Sequence, residues 1–479
     1  MRRTSKGVVH RVVTYLYGPV GVFLLALGVR IAWVLRSHIT PISDFAGYEQ
    51  LALRLLREKS FGTSLGLAYR TPGYPAFLAA VFLAAGHSTR AVGLAQAVIG
   101  SGTAALVAAV GARLSGRSAG VTAGCLQALL VPSILYTPVL ASETLAAFLM
   151  IASVWGLTCV PLAGGIAWKR SLVVALACGA VVGLLLLVRP ASVFAVPGLA
   201  GATAISTNTI RRWHRVAVAG ALAMGVLCTL APWLVRNGRL GLGWLTLSTA
   251  GGVNVAMANN SRNRRGDYLA SEALERYKFA DEVAWDRANR RKATQWILAH
   301  PERYIALSRV RLCRLLGTVP DLWAARYLIP DRRTDELVVA ARQSRASDEP
   351  DERIVEAEYA VTTARGRVLQ VLRVPLVPLT LVGLALGLLR MRRFAVIVLP
   401  WASYVLGISL TFAEPRFREL SEPLLMVMTG VLLATIGGAA QDFPEARKRA
   451  ALAVVSALAV AVCAVVHVAG LERPLYVLP

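Results

Sequence analysis

Apolar runs about as long as a helix needs to cross the hydrocarbon core of a bilayer, ~20 residues, recur along nearly the whole chain. By that ruler eleven lie near 18–36, 91–112, 118–135, 141–161, 171–187, 191–207, 216–235, 370–389, 394–411, 421–438 and 450–470. A segment that must satisfy its own backbone in lipid becomes a helix, so the expected fold class is an all-α polytopic membrane protein. Composition agrees: the 479 residues are 56% hydrophobic and only 16% charged, with a mean hydropathy of +0.56, too apolar for an ordinary soluble domain. A formal charge of +25 would suggest nucleic acid in a soluble chain. Here the apolar runs break the basic residues into short clusters, and no nucleic-acid partner is expected. Only six of the 52 Lys+Arg are lysine, which with heavy Ala and Val usage points to a GC-rich bacterial genome.

The clusters set the expected topology. With the basic N-terminus (Arg2, Arg3, Lys6, Arg11) cytoplasmic and its apolar run read as a retained first span rather than a cleaved signal, every second connection carries the Lys/Arg excess. These are Arg113 and Arg117; Lys169 and Arg170; Arg211, Arg212 and Arg215; Arg390, Arg392 and Arg393; Arg447, Lys448 and Arg449. The alternation requires that 75–86, apolar for too few residues to cross, be re-entrant or interfacial. Acids follow independently: 17 of the 27 Asp+Glu fall between Asp267 and Glu358, in the one long connection placed outside, and only Asp442 and Glu445 face the cytoplasm. The expected location is thus a plasma (inner) membrane, with any active site extracytoplasmic.

Three regions follow: 1–235, an N-terminal transmembrane module with a first outer loop at 37–90; 236–369, a long outer loop; and 370–479, the C-terminal helices. Within the long loop, helical periodicity runs from about Tyr268 to Ala299, breaks at His300-Pro301, and resumes from Glu302 to Leu316. The apolar-poor stretch Asp331–Glu358 has the composition of a mobile segment. Five of six cysteines lie in apolar runs and Cys313 has no obvious partner, so neither a disulfide framework nor a cysteine zinc site is indicated.

Outer-face residues form suggestive groups. Asp44 begins a stretch whose spacing of Leu51, Leu55 and Leu56 against Glu49, Gln50, Arg54 and Arg57 predicts an amphipathic surface helix. There Asp44 serves either as an N-cap or as a carboxylate base beside the head groups. Tyr69-Arg70-Thr71-Pro72-Gly73-Tyr74-Pro75 makes a rigid turn holding Arg70 at the interface. Arg189-Pro190, Pro232-Trp233 through Arg236-Asn237, Ser142-Glu143 and Glu414-Pro415-Arg416-Phe417-Arg418 bring further charges to the same depth. Guanidinium groups suit a phosphate, bound bidentately, and at the membrane boundary that means the phosphate of a lipid. The chain has no Walker loop, HExxH, GxSxG or dinucleotide fingerprint.

Taken in order, the loop from Asp44 to Tyr48, the Arg70–Pro75 turn, Ser142-Glu143, Arg189-Pro190, Pro232-Trp233 with Arg236-Asn237, and Ser248-Thr249 with Gly251-Gly252 and Asn254 resemble the GT-C glycosyltransferases of the protein-mannosyltransferase and aminoarabinose-transferase type, glycosyltransferase family 39. Arg416-Phe417 with Pro423 is similar to that family's late Arg-aromatic motif. The likeness covers 20–260 well and 400–430 loosely; 265–365 is not diagnostic. It implies an inverting transfer of a sugar from a polyprenyl-phosphate donor to a glycolipid, cell-envelope glycan or protein acceptor. Asp44 would be the catalytic base. Arg236, Arg416 and Arg70 would hold the donor phosphate, and Glu143, Tyr48, Tyr74, Arg189, Asn237 and Arg418 would line the pocket. Phe45 stands where protein mannosyltransferases have the second acid of an Asp-Glu pair, and the soluble C-terminal domain of some relatives is missing; both argue against protein O-mannosylation. No cofactor is required, although Asp44, Glu143 and Glu49 could share a divalent metal. Two alternatives predict other features. A transporter or lipid flippase would show pseudo-symmetric halves and broken midplane helices, and a polysaccharide ligase or polymerase would carry its essential residues in the long loop.

Overall fold

A computed structural model describes residues 18–37, 44–160, 167–206, 211–263, 273–316 and 376–437, with scattered positions between 336 and 368 and residue 449. Among the described residues the chain is helical, and an isolated bridge between Thr63 and Gly66 stands in place of any strand. The all-α expectation holds. Five described helices are long and apolar enough to cross a membrane: α1 (Pro19–Arg36), α4 (Thr89–Ser115), α8 (Ala167–Val188), α10 (Arg212–Arg239) and α15 (Met391–Thr411). Shorter apolar helices are α3 (Gly73–Ala85), α7 (Glu143–Cys159), α9 (Val196–Ser206), α14 (Leu376–Leu389) and α16 (Glu422–Ile436).

Two expected spans are interrupted. The 118–135 run divides into α5 (Arg117–Leu129) and α6 (Val131–Leu135), because Pro132 at the start of α6 cannot continue the α5 hydrogen-bond ladder. The 191–207 run opens with a 3₁₀ turn, Pro190–Ala195, before α9 begins. Amphipathic periodicity correctly marked the surface helix α2 (Asp44–Glu58). In the long connection α11 (Gly251–Ala258) comes first. The helix expected from Tyr268 starts later, as α12 (Glu282–Ala299), where the Asp281 side chain accepts the Ala284 N–H and caps it. Pro301 opens α13 (Pro301–Leu316). The 450–470 span and most of Asp331–Glu358 lie outside the described residues.

The position of α3 matters most for the site. Thirteen residues rise only ~20 Å, well short of a hydrocarbon core, and both its flanks meet the same neighbour. Arg70, before it, bonds Asp44 of α2, and His87, after it, lies 2.8 Å from Glu49 Oε1 of α2. Gly86, at φ 75°, and the Ser88 cap then turn the chain into α4. α3 thus leaves from and returns to α2.

Elsewhere small residues allow close packing. A Cβ on Gly179 would run into the Leu222 carbonyl, and one on Gly225 into that of Leu176, so α8 and α10 touch backbone to backbone. The main core gathers side chains of α3, α4, α7, α8, α15 and α16. At one end of this bundle lie the starts of α2, α3 and α7, the end of α8, and a 3₁₀ turn, Pro415–Leu420, that follows α15.

Candidate active site

Asp44, the first residue of α2, turns neither carboxylate oxygen to the free N–H groups of its own helix. Oδ1 accepts from Arg70 Nη2 at 2.6 Å and Oδ2 from Arg416 Nη2 at 2.8 Å. The ion-pair geometry therefore replaces the capping role. Arg70 is delivered by the Tyr69–Pro75 turn and lies over the Tyr48 ring, 4.7 Å from its centroid. Close by, Gly47 borders Arg70: a Cβ there would meet Arg70 Nε at 3.4 Å, an ordinary van der Waals contact. Arg416 comes from the Pro415–Leu420 turn, its Nε 2.6 Å from Glu414 Oε2.

The cluster continues inward. Glu143, at the first position of α7 and 3% exposed, lies 2.9 Å from Arg189 Nη1 and 4.0 Å from Arg416 Nε. Arg189 also donates to Ser142 Oγ at 3.1 Å and rests on the Phe417 ring, 4.6 Å from its centroid. Tyr74 forms the opposite wall, edge-on to Tyr48 at 5.0 Å, with its hydroxyl donating to Gln96 Oε1. Gln96 is fixed in turn by donating to the Thr137 and Val139 carbonyls. Seven residues singled out from the sequence (Asp44, Tyr48, Arg70, Tyr74, Glu143, Arg189 and Arg416) thus converge from five separate stretches of chain.

Burial acts to raise the Asp44 pKa, but the charges and hydrogen bonds of Arg416 and Arg70 outweigh it and hold the carboxyl well below the usual carboxylate range. Asp44 is an anion at any physiological pH and, in this clamped form, a weak base. Its carboxylate is the most exposed charge of the cluster at 30% side-chain accessibility, against 3–19% for Glu143, Arg189, Arg416 and Arg70. An incoming ligand meets Asp44 and its two guanidiniums first.

Three other predicted residues sit elsewhere. Arg236 donates to the Phe61 and Leu67 carbonyls and to Asn237 Oδ1, over the Trp233 ring. Asn237 donates to the Thr246 carbonyl. Arg418 faces Glu422, 3.5 Å away, and the Arg314 carbonyl. Arg236 thereby holds the loop that leads to Arg70, and it has an unforeseen counterpart. Glu282, at the start of α12, is buried and accepts from the Leu67 and Ala68 N–H groups and from Thr249 Oγ1. No periodicity or motif marked Glu282, because its role depends on a partner loop more than 200 residues away. Gln96 was not singled out either, although an amide inside an apolar run is a signal that could have marked it. The trio Asp44, Glu49 and Glu143 does not gather, and among the described residues no three His, Cys, Asp or Glu side chains are grouped to hold a metal.

No protein-family model and no curated protein matches this chain. Among solved structures, the chain is similar to the oligosaccharyltransferase of Archaeoglobus fulgidus in complex with Zn and sulfate, at 11% identity and a TM-score of 0.48, over 92% of this chain and 51% of the other. The archaeal oligosaccharyltransferase AglB of the same organism, with an inhibitory peptide and a dolichol-phosphate, gives 14% and 0.47 over 92% and 54%. ArnT from Cupriavidus metallidurans, bound to undecaprenyl phosphate, gives 14% and 0.42 over 88% and 80%. This chain spans about half the length of the archaeal enzymes.

Proposed function

We propose that this chain is an inverting glycosyltransferase of the GT-C type, moving a sugar from a polyprenyl-phosphate donor to an acceptor hydroxyl on the outer face of the membrane. The observation that carries the reading is the clamp itself: one carboxylate held between two guanidiniums, at the bundle end where an interfacial helix meets the spans. The ordered motifs of the sequence point the same way.

Transfer forms a bond between the acceptor oxygen and the anomeric carbon and breaks the bond from that carbon to the phosphate oxygen, which keeps the electron pair. The acceptor proton needs a base. Among the described residues Asp44 is the most exposed carboxylate of the cluster, yet two arginines suppress its basicity. The donor resolves this conflict. Its phosphodiester draws Arg70 and Arg416 away from Asp44, since guanidinium pairs as well with phosphate as with carboxylate, and the freed carboxylate recovers its affinity for a proton. In the step, Asp44 loses a negative charge as the departing phosphate gains one, so the net charge inside the cluster is unchanged. The two arginines then face the developing phosphate charge, where preorganised donors contribute most to rate. Arg236 is assigned to holding the loop, not the phosphate. Glu143 and Arg189 keep Arg416 and Phe417 in place behind it.

The test offers polyprenyl-phosphate-linked hexoses and pentoses to the purified chain in lipid vesicles and follows sugar transfer and acceptor-independent hydrolysis. Wild type should turn over at least one donor. Asp44→Asn should still bind the lipid phosphate but lose transfer. A wild-type chain inert to every lipid-linked sugar, or an Asp44→Asn variant with unaltered turnover, overturns the proposal.

A further inference from the structure

At the end of the bundle away from the site, α8 and α10 begin side by side. Their starts carry Lys169, Arg170, Arg211 and Arg212, all exposed, and Arg215, half exposed. Between Glu58 and Asp267 the sequence contains one acid, Glu143, and that one is at the opposite end, paired with Arg189. Neither helix, nor α7 or α9 beside them, carries a carboxylate at this end. Five like charges held together repel one another, and an external anion relieves that repulsion.

Two further features define the anion. Trp168 and Trp213 pack edge to face with centroids 5.7 Å apart, Trp213 lies over His214, and Trp213 is 53% exposed. Indole rings with one polar edge prefer the head-group level of a bilayer. Directly beyond the cations, one turn further along each helix, the exposed surface becomes apolar: Val173 and Leu176 on α8, Val216 and then Met224 on α10. A ligand bound here places its charge on the arginines and lays hydrocarbon along those side chains. The geometry points to an anionic phospholipid, its head-group phosphate seated between the starts of α8 and α10 and its acyl chains running down the groove between them. A soluble phosphate or a nucleic acid would use the cations and leave the apolar stripe uncovered. The backbone contact of Gly179 and Gly225 with the facing helix keeps the two starts in fixed register, so the surface is rigid before lipid arrives. This site is independent of the glycosyltransferase reading.

The experiment uses the full chain reconstituted in phosphatidylcholine nanodiscs containing a minority of phosphatidylglycerol or cardiolipin, with retained lipid counted by native mass spectrometry. Wild type should keep the anionic lipid in preference to phosphatidylcholine. The triple variant Arg211→Gln/Arg212→Gln/Arg215→Gln should lose that preference by roughly a hundredfold, since each interfacial cation contributes about a factor of five. Arg390→Gln/Arg392→Gln/Arg393→Gln, a basic cluster elsewhere, should retain it, and so should Trp213→Phe in part. Millimolar glycerol phosphate should not displace the lipid. Should the first triple variant melt early, the milder Arg212→Gln/Trp213→Ala pair serves instead, with an expected loss of lipid preference of about fivefold or more. Equal retention of anionic and zwitterionic lipid by wild type, loss in both basic clusters alike, or displacement by soluble phosphate would each overturn the assignment.

Discussion

At the scale of single residues, Asp44 and Glu143 differ in how far chemistry and stability depend on them. Asp44 is the more exposed of the two and clamped; Asp44→Asn keeps the shape but loses the charge that pairs with Arg70 and Arg416, so transfer should fall on the order of 10²–10⁴ and the melting temperature near neutral pH should drop modestly. Glu143 is buried against Arg189. Glu143→Gln leaves that guanidinium without its counter-charge and should lower stability by about 3–5 kcal/mol, measurable as a lower melting temperature before any assay of transfer. Acidification should erase the difference in stability between wild type and Asp44→Asn. A carboxyl whose folded pKa lies below its unfolded value, about 3.9, contributes its stability in full above that value and loses it as the pH falls toward the folded pKa. With Asp44 held low by Arg416 and Arg70, the two proteins should melt in parallel above about pH 5 and converge only below about pH 4. Convergence at neutral pH would mean that the clamp is not formed. Arg416→Lys should restore donor use only partly relative to Arg416→Ala, because an ammonium lacks the planar fork.

Among elements, the loop between α2 and α3 is the hinge of the arrangement. Arg236 grips it from the end of α10 and Glu282 from the start of α12; Ser248 Oγ donates to the Tyr69 carbonyl and the Thr249 N–H to that of Ala68. Except for that of Arg236 with the Phe61 carbonyl, these contacts lie within three residues of Arg70. Glu282→Gln should therefore depress transfer although it makes no contact with Asp44, and its effect should shrink in an Arg70→Ala background. The coupling in that double-mutant cycle is expected to be about 1 kcal/mol or more. Strict additivity would make Glu282 a structural residue with no route to the site. These tertiary contacts explain why the Arg236 motif was recognisable in sequence while its work was not: a motif records which residue stands at a helix end, and the fold decides whether its side chain meets a ligand or a neighbouring carbonyl.

For the whole molecule, every role above depends on which segments cross. In a background without native cysteines, single cysteines at Ser64 and Ser261 should label from one side of sealed vesicles and one at Ser115 from the other. Labelling of Ser64 and Ser115 from one side and Ser261 from the other would require α3 to span, and would put Asp44 and Arg416 on different faces. The spacing of apolar runs and basic clusters by itself determined that the chain is a helical membrane protein, that 75–86 is too short to cross, and which charged residues reach a common depth, because hydrophobic length and charge asymmetry act locally along the chain. Tertiary structure alone decided how those charges pair. Asp44 came with two arginines instead of a cap, Glu143 with Arg189, and Arg236 and Glu282 with a loop. Such pairings join positions as far apart as Asp44 and Arg416, 372 residues, and a sequence fixes the depth of a side chain far better than the direction it faces across a packed bundle.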